Sequence, residues 1–235
     1  MGQRQDTLRV ASYNIRKCIG LDRRRDPERV LSVLAELDAD VIALQEADRR
    51  LGPRPSALPK DRIPLVTGLS AVPFEEGSVS LGWHGNAILL RDDLTIEVAD
   101  MLDLPSLEPR GAVLNEFSSS RGDLRVVGVH LGLTRSHRRA QWEEIREVLD
   151  KRAEMPTVVL GDYNEWREDR GLEPLEDDFT IHSPGLSFHS ARPVASLDRI
   201  ALTRELELQD AGVHERGEAL RASDHLPIWA DLKVG

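Results

Sequence analysis

The chain has 235 residues, 40% of them hydrophobic and 31% charged, a balance that excludes a collagenous or intrinsically disordered polymer and allows one substantial core. Its 31 basic against 41 acidic side chains give a net charge of −10, which argues against a protein that coats nucleic acid through general electrostatics. Cys18 is the only cysteine, so an intrachain disulfide and a thiolate metal cluster are excluded and any metal must be held by oxygen or imidazole.

Short apolar runs separated by turn residues recur along the chain and read as strands: Leu8 to Ala11, Val41 to Leu44, Ala87 to Leu90, Val126 to Leu131, Val158 to Leu160, Leu197 to Leu202 and Leu226 to Leu232. In the last of these Leu226, Ile228, Ala230 and Leu232 share one face, while Trp229 and Asp231 point the other way. Two helices stand between strands. Asp26 is placed to cap the first, with Pro27 at its first position and Val30, Leu31, Leu34 and Leu37 at helical spacing. The second begins near Ser136 and carries Trp142, Ile145, Val148 and Leu149 on one stripe. Leu51 to Pro64, with prolines at 53, 55, 59 and 64, reads as a long surface loop. Many strands with few helices predict sheets packed face to face with helices outside, in a single domain over residues 1–235. No apolar run approaches the roughly 20 residues that cross a bilayer. The first residues, Met1 to Asp6, lack a signal-peptide stretch, so a cytoplasmic protein without stable membrane insertion is expected.

Polar residues fit for metal or phosphate chemistry repeatedly close these apolar runs. Asn14 follows the first, Glu46 the second, His130 lies in Val-Val-Gly-Val-His, and Asp162 with Asn164 follows Val-Val-Leu. Such placement lets residues from distant parts of a chain converge on one cleft held by a rigid sheet. Each one alone reads more often as a turn, capping or surface residue than as a ligand. Ser223-Asp224-His225, just before the last strand, sets a carboxylate beside an imidazole.

Taken in order, Val10-Ala11-Ser12-Tyr13-Asn14, Leu44-Gln45-Glu46, Gly85-Asn86-Ala87-Ile88-Leu89, Val129-His130-Leu131, Gly161-Asp162-Tyr163-Asn164, Leu197-Asp198-Arg199-Ile200 and Ser223-Asp224-His225 resemble the endonuclease/exonuclease/phosphatase family. The likeness is nearest to its compact bacterial members, through Asn14-Ile15-Arg16-Lys17. The resemblance implies an α/β fold, a four-layer α/β/β/α sandwich of two mainly antiparallel sheets with flanking helices. It implies Mg²⁺ or Mn²⁺ held chiefly by Glu46, with Asn14 and Asp224 near the same ion, a donor set that suits a hard cation. It implies that Asp198 fixes His225, which orients or deprotonates the attacking water. Asp162 and Asn164 would lie around the nucleophile and phosphoryl oxygens, and His130 would donate to the phosphate or help protonate the leaving group. Asn86 would support Glu46 or approach substrate, and Arg16, Lys17 and Arg138 are candidate phosphate contacts. Abasic-site endonucleases of the family resemble Asn-x-Asp after the first strand, whereas Arg16 stands there in this chain, which puts that specificity in doubt.

The expected function is a metal-dependent phosphoester hydrolase, a phosphodiesterase or endonuclease first, with a phosphatase or phospholipase C-like enzyme on lipid head groups or small phosphorylated molecules as the alternative. Four Trp, two Tyr and four Phe offer little surface for base stacking, which pulls against a sequence-reading nuclease. A catalytically silent binding module would show loss of Glu46 or His225, and both are present. The expected partner is the phosphate-ester substrate alone, with no obligate protein partner. Cys18 is assigned no role, and His84, which precedes the Asn86 motif, is left out of the site although it could line the substrate cleft.

Overall fold

In the computed structural model, which describes residues 6–50, 52–106, 110–167 and 178–235, the apolar runs are strands of two six-stranded sheets. The first sheet has the order β11 (Leu206–Val213), β12 (Ile228–Val234), β1 (Leu8–Asn14), β2 (Val41–Gln45), β4 (Ala87–Arg91) and β3 (Leu69–Ala71). The second runs β5 (Thr95–Leu104), β6 (Arg110–Ser118), β7 (Leu124–His130), β8 (Thr157–Asp162), β10 (Asp198–Leu202) and β9 (Thr180–His182). Neighbours are antiparallel except β1 with β2 and β7 with β8. A parallel pair requires a crossover. Helix α1 (Pro27–Leu37) supplies the first and α3 (Arg135–Asp150) the second.

Both helices start where side chains satisfy the open N–H groups of the first turn. The Asp26 carboxylate accepts from the Arg29 amide at 3.1 Å with Pro27 opening α1. Thr134 accepts from the His137 amide, so α3 begins slightly before Ser136. Trp142 and Ile145 of α3 are buried against the second sheet, with Val148 and Leu149 beside them. Val30, Leu31, Leu34 and Leu37 of α1 pack on the outer face of the first sheet around Tyr13, Ile42 and Leu44.

The side-chain alternation of a strand sends the other residues of those strands inward. Val10, Val41, Ala43 and Ile88 meet Val113, Val126, Val158, Leu160 and Ile200 in the core between the sheets. With the short helices α2 (Arg62–Thr67) and α4 (Ala219–Ala222) on the α1 side, the layers are α/β/β/α. Among the described residues no helix is long and apolar enough to cross a membrane.

The expected 51–64 loop ends at Asp61, because Arg62, Ile63 and Pro64 open α2; Leu51 lies outside the described residues. A first-turn proline is tolerated there, since its missing N–H has no partner within the helix. The loop is also less superficial than its prolines suggest, as Ala57 and Leu58 are buried.

Candidate active site

The two parallel pairs decide where the polar residues go. The C-terminal ends of β1, β2, β7 and β8 open on one edge of the sandwich, together with the N-terminal ends of the antiparallel β10 and β12. In register, Asp162 faces His130 on one side and Asp198 on the other. Gly161 makes this possible, because a Cβ there would lie 1.9 Å from the Val129 carbonyl oxygen.

Asp162 is the hub. It is 2% exposed, and its Oδ2 accepts from Asn14 Nδ2 at 3.0 Å, with His130 Nε2 at 3.5 Å and His225 Nε2 at 3.6 Å. Its Oδ1 accepts from the Asn164 amide at 3.0 Å, and the Asn164 side chain donates to the Leu131 carbonyl at 2.9 Å. Burial pushes the Asp162 carboxyl up to about 6, an effect that His225 and these donors limit without cancelling.

His225 Nδ1 lies 2.8 Å from Asp198 Oδ2, which also accepts from Ser187 Oγ at 2.5 Å. Burial alone would lower the basicity of this imidazole. The Asp198 and Asp162 carboxylates outweigh burial and raise it to about 9, which favours the protonated ring. Phe188 packs against it with ring centroids 5.0 Å apart. His130 is the opposite case. Burial, reinforced by Arg110, His225, Lys17 and Arg50, keeps it well below the usual histidine range and neutral.

The expected metal residues stand beside this hub. Gln45 and Asn14 are paired in register, and the turns beyond them are bound together, Ile15 N to Gln45 O at 3.0 Å and Lys17 N to Glu46 O at 2.9 Å. Arg16, Lys17, Cys18 and Glu46 all have left-handed backbone, an uncommon conformation for such side chains that concentrates at functional sites. The Lys17 ammonium pairs with Glu46 Oε2, and Arg16 Nε lies 3.3 Å from Asp224 Oδ2. Ser223 Oγ ties this loop to β1 through the Asn14 carbonyl at 2.6 Å. Asn14, Glu46 and Asp224 offer oxygen donors without sulfur, the donor type a hard divalent cation takes, and the Glu46 and Asp224 carboxylates each already face a cation, Lys17 and Arg16. Asp162, Asp198 and His225 also converge within 4.8 Å of one another. In this structure the three are joined to one another, His225 Nδ1 to Asp198 at 2.8 Å and its Nε2 facing Asp162 at 3.6 Å.

The remaining candidates divide. Asn86 donates to the Gly111 carbonyl at 2.8 Å, joining β4 to β6 across the sheets. Gly85, with φ +86, lets the chain pass close to Glu46, its carbonyl accepting from the Ala47 amide at 2.8 Å. The Arg138 guanidinium is buried and is engaged by the Gly132 and Leu133 carbonyls and by Glu165 at 2.5 Å; it is not among the residues that line the cleft. His84, omitted from the expected site, does line the cleft. Ser187 and Phe188, which position Asp198 and His225, carry no signal in the sequence because they lie in an irregular loop.

A model of the endonuclease/exonuclease/phosphatase family matches residues 11–225. The chain belongs to this family. Endonuclease/exonuclease/phosphatase proteins are phosphoester hydrolases, generally dependent on a divalent metal. The protein YbhP of Escherichia coli K12 is 28% identical over 164 residues, 65% of this chain and 64% of YbhP, so the match spans under two thirds of that relative. An endonuclease/exonuclease/phosphatase structure from Beutenbergia cavernae superimposes with a TM-score of 0.74 at 20% identity, covering 98% of this chain and 72% of that one. A mannosyl-6-phosphatase from Bacteroides thetaiotaomicron superimposes with a TM-score of 0.73 at 17% identity, covering 96% and 99%. At these identities the two structures speak for the fold.

Proposed function

We propose that this chain hydrolyses phosphoester bonds by direct attack of water, with Mg²⁺ or Mn²⁺ held by Asn14, Glu46 and Asp224. The observation that carries the reading is the His225 imidazole held between the buried carboxylates of Asp198 and Asp162. When bound, the cation supplies positive charge to the phosphoryl oxygens and the leaving oxygen. The imidazolium of His225 supports the charge that grows on the phosphoryl group in the transition state, with its orientation fixed by Asp198. An imidazolium cannot accept a proton, so the base role passes to Asp162, which receives the proton of the attacking water while Asn14 and Asn164 hold its carboxylate in place. Neutral His130 donates to the phosphate. Arg16 and Lys17, already beside Asp224 and Glu46, neutralise an incoming anion, and Asn86 fixes the turn that carries Gly85 against Glu46.

Water is favoured over a covalent nucleophile by the hydroxyls nearby. Ser187 is committed to Asp198 and Ser223 to the Asn14 carbonyl. Small phosphorylated molecules are favoured over nucleic acid as substrate. The net charge of −10 repels a polyanion, and Lys17, Arg49, Arg50, Arg54 and Arg110 share one small cleft beside the site.

The test is a panel of duplex and single-stranded DNA, RNA, phospholipids, sugar and inositol phosphates and an aryl phosphodiester, each with Mg²⁺ and with Mn²⁺. Hydrolysis of at least one, lost on chelation, is expected. No hydrolysis of any of them with either metal rejects the reading.

A further inference from the structure

Beside Glu46 and His130 the site continues into a cleft of about 230 Å³. Five cationic side chains line it: Lys17 from the turn after β1, Arg49, Arg50 and Arg54 from the loop after β2, and Arg110 at the start of β6. Among the described residues two carboxylates line it as well, and both are engaged. Glu46 holds Lys17, while Asp48 accepts from Ser80 Oγ at 2.5 Å and from the Leu81 amide at 2.7 Å, fixing the loop that follows β2. His84 adds a neutral ring. Arg54 Nη1 lies 2.6 Å from its Nδ1, so the ring accepts there and keeps its proton on Nε2, which faces Asp103 Oδ1 at 3.7 Å.

This arrangement runs against the rest of the molecule. A chain of net charge −10 gathers like charges from three separate segments into one small cleft, where they repel one another. Such crowding is relieved by an anion, and guanidinium groups suit phosphate because their planar forks donate two bonds at once. The phosphoester at the hub is already served by His225, His130 and the residues around Glu46. The arginines beyond them are in excess of what one phosphate needs.

We propose that the substrate carries a second phosphate group, on a small molecule, bound among Arg49, Arg50, Arg54 and Arg110 while the first is hydrolysed beside Asp162. This rests on the hydrolase reading for which group reacts, but the subsite itself can be tested without turnover. A cleft of about 230 Å³ suits a phosphate and the few atoms that join it to the reacting centre, and it is smaller than the roughly 300–1,000 Å³ of an ordinary ligand pocket.

The experiment titrates the full chain with glucose 1,6-bisphosphate, glucose 6-phosphate and a single-stranded DNA 12-mer by calorimetry, with Mg²⁺ present. Arg50→Ala and Arg54→Ala are compared with wild type, and their melting temperatures serve as the folding control. Arg50 is exposed, so its variant keeps the test valid if loss of Arg54 disturbs His84. The bisphosphate is expected to bind on the order of tenfold or more tightly than the monophosphate, the worth of a charge-assisted bond, and the ratio is expected to collapse in both variants. Equal binding of the two sugars, or a ratio unchanged in both variants, overturns the subsite. DNA binding that is tighter and depends on the same arginines overturns the small-molecule source. A preserved bisphosphate preference with no turnover of any phosphoester leaves the subsite standing and rejects the hydrolase reading alone.

Discussion

His225 Nδ1 and Asp198 Oδ2 are 2.8 Å apart, although one residue precedes β12 of the first sheet and the other opens β10 of the second. The contact therefore joins the two sheets at their polar edge, as does Asn14 of β1 with Asp162 of β8 at 3.0 Å. The same bonds that close the sandwich at this end also set the reacting groups. If Asp198 acts by holding His225, the two behave as a unit. His225→Ala is expected to lower kcat by about 10²–10⁴, and adding Asp198→Ala is expected to lower it little further. Multiplicative losses in the double variant would show two independent roles.

The same pair sets a pH dependence of stability. In chelator, the folded chain keeps the His225 proton up to about 9, whereas an unfolded histidine releases it near 6.5. Stability from this group is fully present below pH 6.5 and is lost as pH rises through 9, since folded protein then binds more protons than unfolded. The melting temperature of wild type is expected to fall more steeply than that of His225→Gln between pH 6.5 and 9.5. Identical slopes would contradict the imidazolium assignment.

Glu46 lies in the cleft with its side chain 20% exposed, and it supports no core packing. Glu46→Gln keeps its shape and removes its charge. The variant is expected to bind Mn²⁺ at least about tenfold more weakly by calorimetry, with turnover lost and melting temperature within a few degrees of wild type. Unchanged Mn²⁺ affinity would move the metal elsewhere.

Gly161→Ala tests the scaffold. Its Cβ would meet the Val129 carbonyl at 1.9 Å, in the pairing that sets His130 opposite Asp162. We expect a loss of about 1–3 kcal/mol or more in chemical denaturation, with reduced kcat in the fraction that folds. Wild-type stability would show that β7 and β8 can separate without cost.

Much of this site is legible in the sequence because strand ends are marked twice, by an apolar run and by the polar residue that closes it. Asn14, Glu46, His130, Asp162 and Asn164 are all found that way, whereas Asp198, which opens β10, is reached only through the family resemblance. Strands β5 and β11 are not, because each is half-exposed along an edge of its sheet and has no clean alternation. In β6 the buried Asn115 interrupts the apolar pattern, and only the structure shows its amide bonded to the Val98 carbonyl at 2.7 Å. Arg49 and Arg50 carry no signal of a site in the sequence, because Arg110, which shares their cleft, lies far along the chain. Arg138 shows the converse, a cation near the motifs whose fork is spent on Glu165.

The central claim is direct attack of water on phosphorus, and isotope transfer tests it most closely. Wild-type protein with Mn²⁺ and bis(p-nitrophenyl) phosphate in H₂¹⁸O is expected to place one ¹⁸O in the p-nitrophenyl phosphate product and none in p-nitrophenol, at a rate that His225→Ala lowers by about 10² or more. Label in the phenol, a phosphorylated protein accumulating during turnover, or equal rates for wild type and His225→Ala would contradict the account.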